Sequence, residues 1–176
     1  MKDDPAVQES LASIGAIPEL MKFSSPKYDL SVRCQAALFI STFCHGGKKA
    51  LQLIVSSRAI SHVVDLLDED YEKCSELVWT GVSCIREIFT LAKSTATKTE
   101  YSRIFMGYSA PAKLALCFHS INGDRRKDAP GFLDTISEIF ENFVLSDNIV
   151  RAHIASREIL KCLAFFFFFL FSPLMN

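Results

Sequence analysis

The sequence predicts an all-α fold made of stacked helical repeats. Apolar residues recur at helical rather than strand spacing. The few glycines and prolines, 7 and 6 in 176 residues, mostly punctuate those apolar runs. A short helix followed by a longer one returns along the chain. With 49% hydrophobic and 22% charged residues, the chain is long enough to bury one sizeable core.

The elements follow in order. "PAVQESLASIG", residues 5–15, reads as the last helix of a repeat whose beginning is missing, closed by Gly15 as its C-cap. "AIPELMKF" is a short helix with Pro18 where no backbone donor is needed. From about Ser31 to Cys44 runs a long helix with Ala36, Ala37, Ile40, Phe43 and Cys44 on its inner face. "AISHVVDLL" then repeats the short helix: Ala59, Ile60, Val63, Val64 and Leu66 stand opposite Ala16, Ile17, Leu20, Met21 and Phe23 at an offset of 43. The acidic run "DLLDEDYEK" is a solvated turn whose carboxylates favour the dipole of the next helix. That helix, "SELVWTGVSCIREIF", places Leu77, Val78, Gly81, Val82, Ile85, Ile88 and Phe89 on one face.

The polar stretch "AKSTATKT" lengthens the link to a third copy. This copy begins at "YSAPAKLALCF", with Pro111 and Leu114 matching Pro18 and Leu20. It continues into "GFLDTISEIFENFV", with Phe132, Leu133, Ile136, Ile139, Phe140 and Phe143 inside. A fourth copy starts near "IVRAHIASREIL" and meets the run Phe165 to Phe169.

No such unit buries its apolar face alone, so neighbours stack around a continuous core. A period near 43 with a short and then a long helix fits armadillo and HEAT-type arrays. "IGAIPELMKF" resembles the armadillo signature, in which a glycine ends one helix and Ile-Pro opens the next; Arg58 and Ser61 depart from it in the second copy. The expected architecture is an armadillo-like helical-repeat solenoid, a fragment of about three repeats. Residues 1–15 form the last helix of a truncated repeat, 16–161 the repeats, and 162–176 an anomalous hydrophobic tail. Leu163 to Phe171 is about half the roughly 18 to 20 residues that span a bilayer, so no transmembrane span is expected. The tail reads as a gene-model or splice-retention artefact.

"GAIPELMKF", "LDEDYEKCSELVWTGVSCIREIF" and the spacing between them are similar to the armadillo region C-terminal to the kinase domain in fungal septation-initiation and mitotic-exit kinases and in plant MAP kinase kinase kinase epsilon. The resemblance implies a protein-binding or scaffolding module, the regulatory part of a larger Ser/Thr kinase. The alternative is a stand-alone armadillo adaptor whose tail makes a peripheral membrane contact.

The chain itself has no glycine-rich phosphate loop, H-R-D loop or D-F-G site, so it is not expected to be an enzyme. Gly46 and Gly47 read as a C-cap and turn, and no cofactor or metal motif is present. Cys44 and His45 are adjacent and diverge on a helix, which is poor geometry for a nucleophile and its base. A net charge of -1 argues against a nucleic-acid partner, and Arg125, Arg126 and Lys127 between two aspartates read as solvated loop. The Ser25–Pro26 turn is a weak acceptor for a proline-directed kinase. The six cysteines read as separate small core residues of a cytoplasmic protein in a reducing compartment.

In such arrays the longer helices line a concave groove for a protein or peptide partner. The candidate groove residues are Gln35 on the first long helix, Trp79, Ser83 and Arg86 on the second, and Glu138 and Glu141 on the third. Trp79 and Arg86 are types enriched at interface hot spots, although packing of Trp79 against the adjacent repeat competes with that reading. Asp134, Glu138 and Glu141 make the third stripe acidic, which suits a basic or amphipathic peptide.

Overall fold

A computed structural model describes residues 7, 10–11, 14–45, 48–56, 59–92, 94–122 and 129–171, except for the side chains of 48, 122 and 165–171. Every regular element among the described residues is helical. The chain divides into two compact units, Met1–Lys93 and Ser94–Asn176.

In the first unit, α1 (Ala16–Met21) runs into a 3-10 turn at Lys22–Ser24 and is followed by α2 (Leu30–Cys44) and α3 (Lys48–Ser56). Then α4 (Ile60–Asp65) runs into a 3-10 turn at Leu66–Asp68, followed by α5 (Tyr71–Leu91). The succession of short helix, 3-10 turn and long helix thus occurs twice. Gly15 has φ 71°, a left-handed conformation that a residue without Cβ adopts at no steric cost. Asp70 caps α5 by accepting from the Glu72 N–H at 3.0 Å, so the acidic turn serves the helix dipole as expected. Arg58, Gly46 and Gly47 lie outside the described residues.

The inner faces match the periodicity. Ala36, Ala37, Ile40, Phe43 and Cys44 of α2 are buried, as are all seven inner positions of α5. The short helices differ. Ile17 and Met21 are buried like Ile60 and Val64, but Leu20 and Phe23 are largely exposed where Val63 and Leu66 are buried. The cause is Gly81. A Cβ there would lie 3.0 Å from the Val63 carbonyl oxygen and 3.1 Å from the Leu66 Cβ, so α4 closes onto the bare backbone of α5. α2 has no glycine at which α1 can close in the same way.

α2 and α5 form the main packing contact of this unit, with α1 and α3 on α2 and α3 and α4 on α5. Cys44 and Cys84, expected as separate thiols, are joined in a disulfide with Cα atoms 5.3 Å apart. That separation lies within the usual disulfide range, and the packing of α2 on α5 brings the two cysteines together. Of the other cysteines, Cys34, Cys74 and Cys162 are half-buried and Cys117 is buried.

The second unit contains α6 (Thr95–Gly107), α7 (Ala110–Asn122), α8 (Ala129–Val144), α9 (Asn148–Ile154) and α10 (Arg157–Phe171). The stretch expected to be a polar link is instead the start of α6, because the Ser94 hydroxyl accepts from the Thr97 N–H and nucleates a helix. α7 packs on α6, α8 and α10, and α9 packs on α8 and α6. Phe105, Leu114, Phe118, Ile136, Ile139, Phe143 and Val150 fill the core, while Leu133, expected inside, is half-buried. α10 continues through residue 162, where the sequence becomes strongly apolar. Among the described residues no single helix is long and apolar enough to cross a membrane.

Candidate functional site

On the first unit, Gln35 is exposed on α2 and Trp79 is 37% exposed on α5. Arg86 is half-buried and its guanidinium lies 2.7 Å from the Glu87 carboxylate, on the same helix. Thr90 is exposed at the end of the stripe. Ser83 is only 6% exposed. It sits within five consecutive buried residues, 81–85, where α5 is covered by α2, α3 and α4 and has no outward face. The accessible stripe of this unit therefore comprises Gln35, Trp79, Arg86 and Thr90. On the second unit, Asp134, Glu138 and Glu141 are all exposed on α8, one and two turns apart on one face.

Two ion pairs that the sequence pattern did not reveal hold these helices. Arg33, near the start of α2, pairs with Glu69, and both side chains are only 10% exposed. The Arg33 Nε–H also donates to the Ser24 carbonyl at 3.3 Å, and the Ser24 hydroxyl donates to the Met21 carbonyl at 2.7 Å. One guanidinium thus ties the turn after the first short helix to the turn after the second. Glu69 is a correction to the reading of that acidic run as fully solvated.

Nearby, α5 departs from helical geometry at Cys74, with φ -130° and ψ 40°. Burial, with the Glu69 carboxylate adding to it, pushes the Cys74 thiol up from its ordinary value of 9.0, which makes it a poor nucleophile. Cys44 is committed to its disulfide and His45 Nδ1 contacts the Ser41 carbonyl at 2.8 Å, so these neighbours do not form a nucleophile and base. Arg125, Arg126 and Lys127 lie outside the described residues.

In the second unit, Arg103 on α6 donates through Nε to the Asp147 carboxylate at 2.8 Å. Asp147 also caps α9, accepting from the Ile149 and Val150 N–H groups at 3.1 and 3.0 Å. The Val150 hydrogen bond first, and Arg103 after it, hold the Asp147 carboxyl below its ordinary value of 3.8. Thr95, Thr99, Glu100, Arg103, Ile104 and Asp147 line a cleft of 640 Å³. The "SDN" ahead of α9 is a legible cap signal; the reach of Arg103 to it is not.

The chain is 30% identical to the cytokinesis protein sepH of Emericella nidulans over 158 residues, which are 90% of this chain and 12% of that protein. It is 30% identical to MAP3K epsilon protein kinase 1 of Arabidopsis thaliana over 124 residues, 69% of this chain and 9% of the kinase. It is 25% identical to cell division control protein 7 of Schizosaccharomyces pombe over 83 residues, 47% of this chain and 8% of that protein. No protein-family model matches it. The chain is homologous to a region of these proteins and spans 12% or less of their length.

Proposed function

We propose that this chain is an armadillo-like, protein-binding module belonging to the regulatory part of a cytokinesis-type protein kinase. The observation that carries the reading is the match itself: 90% of this chain aligns with 12% of sepH, while the chain has none of the motifs of a kinase catalytic domain. The doubled succession of short helix, 3-10 turn and long helix supports a stacked-repeat reading. So does the bond between Cys44, the last residue of α2, and Cys84 within α5, which joins the two long helices. Partners dock on Gln35, Trp79 and Arg86 in the first unit and on Glu138 and Glu141 in the second, each unit offering its own stripe. Ser83, being buried, serves packing.

The test is a graft in Emericella nidulans. The matching 158 residues are removed from sepH and this chain is put in their place. Removal should block cytokinesis and the graft should restore it. The graft carrying Gln35→Ala, Trp79→Ala and Arg86→Ala should fail while keeping its helical circular dichroism. Normal cytokinesis after removal would sink the regulatory reading. Full rescue by the triple variant would sink the assignment of the binding surface.

A further inference from the structure

We propose that Cys44 and Cys84 form a redox-operated clamp that sets the spacing between the two helices of the first unit's binding stripe. Cys44 lies on the helix that carries Gln35, and Cys84 lies five residues beyond Trp79. The bond therefore joins the two halves of the surface assigned above.

Reduction has a geometric consequence. Bonded sulfurs sit about 2.0 Å apart, whereas non-bonded heavy atoms settle at about 3.5–4.0 Å. Two thiols at this site therefore need roughly 1.5–2 Å more room than the disulfide. Reduction removes the covalent tie between α2, which carries Gln35, and α5, which carries Trp79, and so loosens the spacing of the two residues.

The two forms interconvert slowly. Cys44 is 1% exposed and Cys84 fully buried, so no small thiol or disulfide reaches them until α2 lifts off α5. Oxidation proceeds with a small disulfide such as oxidised glutathione as electron acceptor. One cysteine thiolate attacks a sulfur of that disulfide and expels one small thiolate. The second cysteine thiolate then attacks the protein sulfur of the mixed disulfide and expels the other. One protein disulfide forms, one small disulfide becomes two thiols, and the two protons lost by the protein pass to them. Reduction by excess glutathione reverses each step.

Cys34 and Cys74 provide an internal control. They lie on the same helices at the same separation of 40 as the bonded pair, yet they are half-buried and free.

The full chain is equilibrated with oxidised glutathione, alkylated with iodoacetamide under native conditions and mapped by mass spectrometry. The expected result is a Cys44–Cys84 cross-linked peptide, with Cys34, Cys74 and Cys162 carrying either a carbamidomethyl group or a single glutathione. Dithiothreitol should break the cross-link at least about 100-fold more slowly in native buffer than in denaturant, because the buried bond reacts only from an opened state. Breaking it should lower Tm by about 8–16 °C, given a closed loop of some 40 residues and the length of the full chain. The variant Cys44→Ala/Cys84→Ala should show no Tm response to dithiothreitol. If that variant does not fold, the Tm of the wild-type chain before and after reduction carries the test.

Alkylation of both Cys44 and Cys84 in the oxidised native protein, or an unchanged Tm on reduction, overturns the clamp. The link to the stripe rests on the binding-surface reading and has its own readout, the emission of Trp79, the single tryptophan. An intact cross-link whose reduction leaves Trp79 emission unchanged overturns that link alone.

Discussion

Replacing Gly81 with alanine sets two effects of opposite sign against each other. Alanine is favoured over glycine in a helix interior by about 0.8–1.0 kcal/mol, so propensity alone predicts stabilisation. The added Cβ, however, would stand 3.0 Å from the Val63 carbonyl oxygen, 3.1 Å from the Leu66 Cβ and 3.2 Å from the Leu67 Cδ2. Comfortable contacts lie near 3.5–4.0 Å, and only the leucine Cδ2 sits at the end of a flexible side chain. Forcing α4 off α5 is overpacking, which costs about 1–3 kcal/mol. The expected net result for Gly81→Ala is a loss of about 1 kcal/mol, within a range of roughly 0–2. Gly131 in α8 is the control, since a Cβ there meets nothing within 4 Å; Gly131→Ala should gain up to about 1 kcal/mol. Urea unfolding of the oxidised full chain, followed by far-ultraviolet circular dichroism, measures both, and Trp79 emission reports the first unit. If Gly81→Ala stabilises the chain as Gly131→Ala does, the close approach of α4 to α5 is wrong.

Other outcomes follow from the ion pairs. Arg33→Met leaves Glu69 buried without its partner and should cost about 3–5 kcal/mol, most of it recovered by adding Glu69→Leu; thermal unfolding of the single and double variants tests this. Asp147→Ala removes both the α9 cap and the Arg103 partner and should lower Tm further than Asp147→Asn, which keeps a capping oxygen. Because the folded state holds the Asp147 carboxyl below 3.8, its charge stabilises the fold above that value, and the contribution is lost as pH falls through the lower folded value. The Tm gap between wild type and Asp147→Asn should be full near neutral pH and narrow as pH falls below 3.8.

The long helices were legible because their apolar period runs for three turns or more, and each inner position named on α2 and α5 is buried. α3 was missed because Ala50, Leu51 and Ile54 mark its buried face for little more than one turn. α6 was missed because its composition is polar and its buried residues are Ser102 and Phe105; the cap at Ser94 was the available signal. The exposure of Leu20 and Phe23, the burial of Ser83 and the pairing of Glu69 with Arg33 all depend on what faces a residue from another helix. A pattern read along one helix does not contain that. The disulfide belongs to the same class, although the shared separation of Cys34 from Cys74 and of Cys44 from Cys84 was visible in the sequence.

The division into two units bears on synthesis. The helices that α2 packs on most lie within Met1–Lys93, so this unit has its partners before the rest is translated. At about 5–20 residues per second, Ser94 to Asn176 takes a further roughly 4–17 seconds to make. Within it, Cys117 follows Cys84 by 33 residues, or about 2–7 seconds, and Cys162 follows by 78, or about 4–16 seconds. Complete pairing of four cysteines admits 3 connectivities, against 15 for six. Vectorial emergence from the ribosome therefore offers Cys44 and Cys84 to each other before Cys117 and Cys162 arrive to compete.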